Sequence, residues 1–429
     1  MQALRASVLH CLADPGEKSN PAAFEYFEDG LLVVDAGHVA EVGPTDVLLG
    51  RLPADSQVLD HTGKLIVPGF IDCHVHFPQL DIIGSYGAQL LDWLNQYAYP
   101  AEMKFADPGY ARDVAHAFVD ELLRNGTTTA LVFGTVHAHS ADAIFEAAGA
   151  RGMRLVAGKV LMDSNCPDEL RDDSETGYAE SKALIDRWHG NGRLGYAITP
   201  RFALTSSAEQ LAMAGRLAAE HPDVWIHTHL AENHDEIEEI ARQFPDSRSY
   251  LDVYDQFDLL RERAVFAHCL HMDDEDRATM SKKGGAAAFC PTSNLFLGSG
   301  LFDLPAMRAA GIRCGLGTDV GGGTSLSLLA TASEAYKVLH LQEHALPAMR
   351  ALYLATLGAA EALYLDDKIG NFVPGKEADF TMLDFEGSPL TARRMRAAAS
   401  IDEKLFALMT LADDRNVAST WILGDEAYG

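Results

Sequence analysis

Residues 65–77 read LIVPGFIDCHVHF, an apolar run that carries two histidines with one residue between them. Successive side chains of a strand point to opposite faces, so His74 and His76 lie on the same face and can bind one ion. A pair of hydrogen-bonded core histidines explains the same pattern, and the choice depends on ligands elsewhere in the chain. The run predicts a buried strand that bears these two imidazoles.

From residue 65 onward, short β-rich runs alternate with longer amphipathic stretches, which predicts βα units and a parallel sheet. In one such stretch, residues 111–126, apolar residues recur at helical spacing and Gly126 suits the helix C-terminus. Eight β-rich runs with helices between them favour a TIM barrel. After residues 65–77, the runs cover residues 127–133, 154–162, 194–204, 224–230, 264–269, 286–291 and 312–319.

The two ends of the chain lack this alternation. Residues 1–64 hold short β-rich pieces punctuated by Gly, Pro and Asp, and similar pieces return after residue 370 around a helical stretch at residues 401–411. We predict an α/β fold with a (β/α)8 TIM barrel and a small β-sandwich-like domain formed from both termini. The predicted boundaries are 65–369 for the barrel, and 1–64 together with 370–429 for the small domain.

Composition narrows the class of partner. A formal net charge of -28 repels polyphosphate and anionic lipid headgroups, so we expect neither a nucleic-acid nor a membrane partner. The charge is compatible with a small neutral substrate, and solubility alone also explains it. No apolar run approaches the ~18 residues of a membrane span, and the first residues lack the ordered regions of a signal peptide. The six cysteines include no CxxC pair, which indicates reduced thiols and a cytoplasmic protein.

Further candidate ligands follow later strands, at the strand ends where TIM-barrel active sites are built. They are His229, His268 and Asp319. Asp319 could instead cap a helix N-terminus. Neutral imidazoles and a carboxylate suit Zn²⁺, which lowers the pKa of a bound water from about 15.7 to about 7. Glu232 and Asp319 are the carboxylates available to move a proton.

Other motifs argue against competing chemistries. The chain has no HExxH, and no HxE followed by PCxxC, so neither zincin nor cytidine-deaminase chemistry is supported. Residues 370–377, GNFVPGKE, imitate a P-loop up to Lys376 but supply Glu377 where Ser or Thr is needed. His227 shares a strand face with His229, and we predict that it lines the barrel without binding metal.

Four motifs in order resemble the amidohydrolase superfamily of metal-dependent barrel hydrolases. They are PGFIDCHVHFPQ at residues 68–79, HTHLAEN at 227–233, FAHC at 266–269 and GLGTDVGGG at 315–323. Within that superfamily, residues 77–105, 198–207, 290–300 and 413–416 resemble the members that act on guanine. The resemblance implies hydrolysis of the exocyclic amine of guanine, which yields xanthine and ammonia.

The same resemblance implies the roles of individual residues, with one Zn²⁺ per subunit and a homodimer. The implied metal ligands are His74, His76, His229 and Asp319. The implied catalytic residues are Glu232, His268 and Asp319, and the implied purine-binding residues are Gln79, Arg201 and Phe202. Activated water would attack C2, Glu232 would protonate the adjacent ring nitrogen, and His268 would stabilise the developing charge.

Two other functions stay open at this point. The first is a hydrolase on the same scaffold that acts on another aminopurine, a pyrimidine or a triazine, because barrels host many chemistries. The second is an inactive barrel that serves as a scaffold. Lys159 could bridge a second metal only in principle, so we predict a mononuclear site, and Trp93 is predicted to be a lid or packing residue.

Overall fold

The computed structural model describes residues 1–87 and 89–429. The chain divides into two compact units. One comprises residues 1–72, 120–129 and 327–429, and the other comprises residues 73–119 and 130–326.

Eight parallel strands form a barrel, and each predicted β-rich run contains one of them. They are β1 (Phe70–His76), β2 (Thr127–Phe133), β3 (Arg154–Gly158), β4 (Leu194–Pro200), β5 (Trp225–Leu230), β6 (Ala264–His268), β7 (Ala286–Phe289) and β8 (Arg313–Leu316). They lie in chain order, and the short strand Val160–Leu161 pairs with β4. The segment after β8 is hydrogen-bonded to β1, because the backbone N–H of Asp319 donates to the carbonyl oxygen of His74 (2.8 Å). The predicted TIM barrel is confirmed.

Helices alternate with the strands, and β1 to β4 are buried along their whole length, as expected for a parallel sheet covered by helices. The helix predicted at residues 111–126 spans Pro108–Arg124, and Gly126 follows it with φ +82°. The α-helices between β2 and β8 are Ala138–Ala150, Ser174–Trp188, Ala208–Glu220, His234–Gln243, Tyr250–Gln256, Asp274–Lys283, Pro291–Phe296 and Leu304–Ala309. Over the described ranges, no helix has the length and apolarity to cross a bilayer.

The strands from the two termini form one seven-stranded mixed sheet. In spatial order they are Asp425–Tyr428, Val417–Ile422, Phe380–Asp384, Gln57–Pro68, Gln2–Cys11, Phe24–Asp35 and His38–Pro44. All neighbours pair antiparallel except Gln2–Cys11 with Gln57–Pro68. Alternation along the first strand places Leu4 in the core cluster on one face and Ala3 in the cluster on the other. The predicted β domain from both termini is therefore present as a sheet with two apolar faces.

The run at residues 65–77, predicted as one strand, holds parts of two. Gln57–Pro68 belongs to the terminal sheet and Phe70–His76 to the barrel, with Gly69 between them. A Cβ at Gly69 would lie 2.1 Å from Thr128 Oγ1, so only glycine fits there. Apolar continuity alone does not reveal where the chain passes from one sheet to the next.

Helices from the end of the chain join the terminal sheet in the same unit. They are Leu328–Leu341, Ala348–Ala355, Leu357–Ala362, Pro389–Ala397 and Ile401–Leu411, and the short helix Thr45–Leu48 belongs there too. The rings of Tyr336 and Phe406 lie 5.0 Å apart between two of these helices. The predicted helix at residues 401–411 is confirmed. The division into two compact units groups residues 327–369 with the terminal sheet. The predicted domain boundaries at 64/65 and 369/370 stay a prediction.

Candidate metal centre and substrate pocket

The four predicted metal ligands converge at the carboxyl ends of the barrel strands. His74 and His76 lie on β1, His229 lies on β5, and Asp319 follows β8. The Nε2 atom of His76 is 3.2 Å from His74 Nε2 and 3.2 Å from His229 Nε2. Asp319 Oδ1 is 3.2 Å from His74 Nε2. One ligand atom from each of the four residues lies within 4.8 Å of the others.

The chemistry of this donor set fits a divalent cation such as Zn²⁺. His229 Nδ1 lies 2.6 Å from the carbonyl oxygen of Arg201, which only accepts, so Nδ1 carries the proton and Nε2 presents a lone pair to the cluster. Burial lowers the pKa of His76 to about 3 and holds the pKa of His229 well below its ordinary value. Neutral imidazoles whose lone pairs face a carboxylate are the ligands that Zn²⁺ takes. The side chain of Asp319 faces these histidines, which disfavours the helix-cap alternative.

Two neighbours of the cluster, His227 and Lys159, have identified hydrogen-bond partners. His227 Nε2 lies 2.7 Å from His74 Nδ1, so it orients a ligand and is not itself part of the four-donor group. Lys159 Nζ donates to the Val136 carbonyl (2.6 Å) and pairs with the carboxylate of Asp172. Because its ammonium group is engaged there, Lys159 does not join the ligand cluster.

The residues predicted to move protons lie beside the ligands. Glu232 Oε1 accepts from Ser299 Oγ (3.0 Å), and Glu232 Oε2 is 3.3 Å from His268 Nε2. His268 Nε2 is also 3.7 Å from Asp319 Oδ2. Burial, followed by the charge of Asp319, raises the pKa of Glu232 to about 8. A carboxyl group that titrates near neutrality suits general acid–base chemistry.

A second carboxylate, which sequence analysis missed, holds the loop that carries Glu232. Glu236 Oε2 accepts from the backbone N–H groups of Glu232 (3.1 Å) and Asn233 (3.2 Å), and Tyr250 OH donates to Glu236 Oε1 (2.7 Å). Asn233 and Glu236 form the capping box of helix His234–Gln243. The pattern Asn-x-x-Glu before a helix was a signal that could have found it.

The three predicted purine-binding residues line one pocket together with the metal-ligand cluster. Gln79 follows β1, and Arg201 and Phe202 follow β4. All three side chains face the pocket and are at least nine-tenths buried. The backbone carbonyl of Arg201 orients His229, so one residue contacts both the ligand cluster and the pocket.

Part of the pocket wall comes from residues 90–94, further along the chain from β1 than Gln79. Leu90, Trp93 and Leu94 line it, and Trp93 Nε1 donates to the Ser85 carbonyl (3.2 Å). The predicted lid or packing role of Trp93 agrees with this position. Residues 90–103 contain Leu90–Trp93, the π-helix Leu94–Ala98 and the helix Tyr99–Met103. This last helix carries Glu102, a buried carboxylate that sequence analysis missed because no local motif marks it.

The fold and the ligand cluster define a class of protein, and comparison with known proteins agrees with it. Residues 65–427 match the amidohydrolase family, and the chain belongs to that family. It is 50% identical over 431 residues to the guanine deaminase of Escherichia coli (strain K12), with 100% of this chain and 98% of the relative covered. The solved structure of the E. coli guanine deaminase superposes with a TM-score of 0.97 over 100% of this chain and 99% of that one. A guanine deaminase from C. acetobutylicum, with guanine bound in the active site, is 27% identical with a TM-score of 0.90 and 99% coverage of both chains.

Proposed function

We propose that the chain hydrolyses guanine to xanthine and ammonia, the reaction of a guanine deaminase. The observation that carries the proposal is one buried pocket in which Gln79, Arg201 and Phe202 lie beside the metal-ligand cluster. The guanidinium of Arg201 donates to a carbonyl oxygen such as guanine O6, the amide of Gln79 hydrogen-bonds the purine edge, and the ring of Phe202 covers a face of the base. The two relatives reported above, from Escherichia coli and C. acetobutylicum, are both named guanine deaminases.

The chain's own groups supply the proton transfers of this reaction. Bound by the four ligands, Zn²⁺ would acidify a water molecule so that hydroxide is available near neutral pH. Glu232 would take one proton from the attacking water and give it to the ring nitrogen next to C2. The second proton of that water would pass through Glu232 to the amine, so that the C–N bond breaks, ammonia leaves and the oxygen stays as the new carbonyl. The Oε1 atom of Glu232 is held by Ser299, so Oε2 is the oxygen that carries the proton. His268 lies 3.3 Å from Oε2 and stabilises the charge that develops at C2.

We further propose one Zn²⁺ per subunit, a homodimer and a cytoplasmic location. One Zn²⁺ per subunit is supported because the described residues form one group of four metal donors. A second candidate group, His268, Cys290 and Asp319, shares Asp319 with the first and so does not form a separate site. Free cysteines, five of the six buried, support a reducing compartment. Metal analysis per protomer and light scattering on the purified protein test the stoichiometry and the oligomeric state.

Substrate preference is the direct test of the proposed function. We expect the zinc-loaded protein to release ammonia from guanine, with kcat/KM at least about a hundredfold above that for adenine, cytosine or an amino-triazine. Adenine and an amino-triazine lack the carbonyl that the site is built to hydrogen-bond, and cytosine has a carbonyl but lacks the second ring of a purine. Ammonia release and ultraviolet absorbance measure this, with protein that was heat-denatured as the control. Preference for a pyrimidine or a triazine would replace guanine by that substrate. Absent or substoichiometric zinc, together with no turnover of any amine, would favour the inactive scaffold.

Phe202→Ala tests the aromatic wall of the pocket. We expect KM for guanine to rise about tenfold while kcat changes less than about threefold, because the ring contributes apolar contact in both the bound substrate and the transition state. Phe202→Leu should lose less, since it keeps apolar surface. Phe244→Ala, at a half-buried position that does not line the pocket, is the control. A fall confined to kcat would contradict a binding role for the ring.

A further inference from the structure

We propose that Glu102 is a positioning residue that makes the pocket selective for a neutral oxopurine and against the anion of the deaminated product. It does so by cancelling the charge of Arg201 and by holding both Arg201 and Gln79 as hydrogen-bond donors. The inference rests on the proposed function and extends it to discrimination between substrate and product.

The three side chains form one buried cluster. Arg201 Nη1 donates to Glu102 Oε1 (2.8 Å) and to Glu102 Oε2 (2.6 Å). Gln79 Nε2 donates to Glu102 Oε1 (3.1 Å). Glu102 is 1% exposed, and Arg201 and Gln79 are each 2% exposed. A guanidinium buried to this extent is strongly unfavourable without a partner, so the Glu102 carboxylate is what allows Arg201 to lie in the pocket wall.

Glu102 also decides which way the Gln79 amide points. An amide group offers a donor at one end and an acceptor at the other. Gly321 N donates to Gln79 Oε1 (3.1 Å), which directs the oxygen away from Glu102, while the carboxylate accepts from Nε2. Both contacts favour the same orientation. The acceptor-only carboxylate therefore keeps Nε2 as the donor end of Gln79, which also lies 3.4 Å from His76 Nδ1, and leaves N–H groups of Arg201 to face a ligand.

This arrangement matches a carbonyl-bearing purine. Both contacts from Arg201 to Glu102 are made by Nη1, so the N–H groups of Nε and Nη2 are not used by the carboxylate. Arg201 lines the pocket, where these donors suit a carbonyl oxygen and not an exocyclic amine at the same position. The Glu102 carboxylate thus acts on selectivity through Arg201 and Gln79 without touching the substrate.

The neutral ion pair also bears on the product. Xanthine has one more ring carbonyl than guanine and loses a proton more readily, so its anion becomes abundant as the pH rises. A lone Arg201 would attract that anion, whereas the Glu102–Arg201 pair has no net charge. Among the described residues, four other titratable groups interact electrostatically with Arg201. They are Tyr99, whose ring centroid lies 5.3 Å from the guanidinium carbon, together with Asp319, His76 and Cys166. Pairing with Glu102 therefore favours release of the product.

The test is Glu102→Gln in the zinc-loaded protein, a change that removes the charge, keeps one acceptor oxygen and replaces the other with an N–H donor. Guanine KM and kcat, and the inhibition constant of xanthine, are measured from about pH 6 to about pH 9. We expect the ratio of the xanthine inhibition constant to the guanine KM to fall at least about tenfold, and to fall furthest at the alkaline end. In the unmodified protein, inhibition should weaken as xanthine ionises. Glu102→Asp should keep that wild-type trend, and Glu146→Gln at an exposed position is the matched control.

An equal loss of affinity for guanine and xanthine, with the wild-type pH trend retained, would show that Glu102 only supports the fold and would overturn the proposal. If Glu102→Gln does not fold, xanthine binding is followed against pH in the unmodified protein and in Glu232→Gln, where ionisation of Glu232 does not contribute. Binding that strengthens with rising pH in both proteins would contradict the claim that Glu102 cancels the charge of Arg201. Calorimetric titration with xanthine gives the same comparison without turnover. Failure of the unmodified protein to deaminate guanine would overturn the proposed function, an outcome separate from the xanthine binding comparison.

Discussion

Glu232→Gln is expected to leave zinc bound and to lower kcat for guanine deamination by about 10²- to 10⁴-fold, the range that a positioned general acid–base contributes. The amide has nearly the same volume as the carboxyl group and can still accept from Ser299 Oγ, which now lies 3.0 Å from Oε1. It cannot take a proton from water or deliver one to the ring nitrogen. The loss should therefore fall on kcat, with a small change in KM.

Steady-state kinetics, metal analysis and thermal melting of the same preparation check this prediction together. Glu238→Gln is the matched control, because its side chain is 70% exposed on the helix that follows the loop of Glu232. Wild-type turnover by Glu232→Gln with stoichiometric zinc would refute the proton-transfer role. Loss of zinc in that variant would instead place Glu232 among the metal ligands.

Removal of the metal is expected to abolish turnover to the detection limit, and added Zn²⁺ should restore it. The four donors come from segments far apart in the chain and meet only when it is folded, so zinc binds the folded state. The metal-free protein should therefore also melt at a lower temperature. At a free zinc concentration about a thousandfold above Kd, binding adds about 4 kcal/mol to stability.

Chelation followed by titration with Zn²⁺, read by ammonia release and by thermal melting, checks both parts of this prediction. His229→Ala should show the same two losses without a chelator, because it removes one of the four donors. His344→Ala, whose side chain is 41% exposed, is the matched control. Full activity after exhaustive dialysis against the chelator, with no metal detected, would contradict a metal-dependent mechanism.

The barrel could be predicted from the sequence because each of its strands is a local signal. Strands buried on both faces appear as short apolar runs, and β2 matches its predicted limits at residues 127–133. The predicted run at residues 65–77 shows the limit of that signal, since it joins the end of one strand to the start of another across Gly69. The helix Leu328–Leu341 could not be assigned to the terminal unit, because helical periodicity does not state which neighbour a helix packs against.

The candidate metal ligands could be predicted because barrel topology collects the carboxyl ends of the strands at one edge. His74 and Asp319 are 245 positions apart in the printed sequence, yet their side-chain atoms lie 3.2 Å apart. Glu102 had no comparable signal. It lies outside the strand ends, and its partner Arg201 is 99 residues away along the chain.

The βα alternation, the burial of the strands and the face on which each strand side chain lies follow from the local order of apolar and polar residues, so they can be predicted without a structure. The same holds for the ligand-type residues at the strand ends. Which atoms meet depends on the folded chain: His227 contacts His74, Ser299 contacts Glu232, and Glu102 contacts both Arg201 and Gln79. Those pairings depend on the packing of segments far apart in the chain, and no local pattern encodes a distance of 3 Å between such segments.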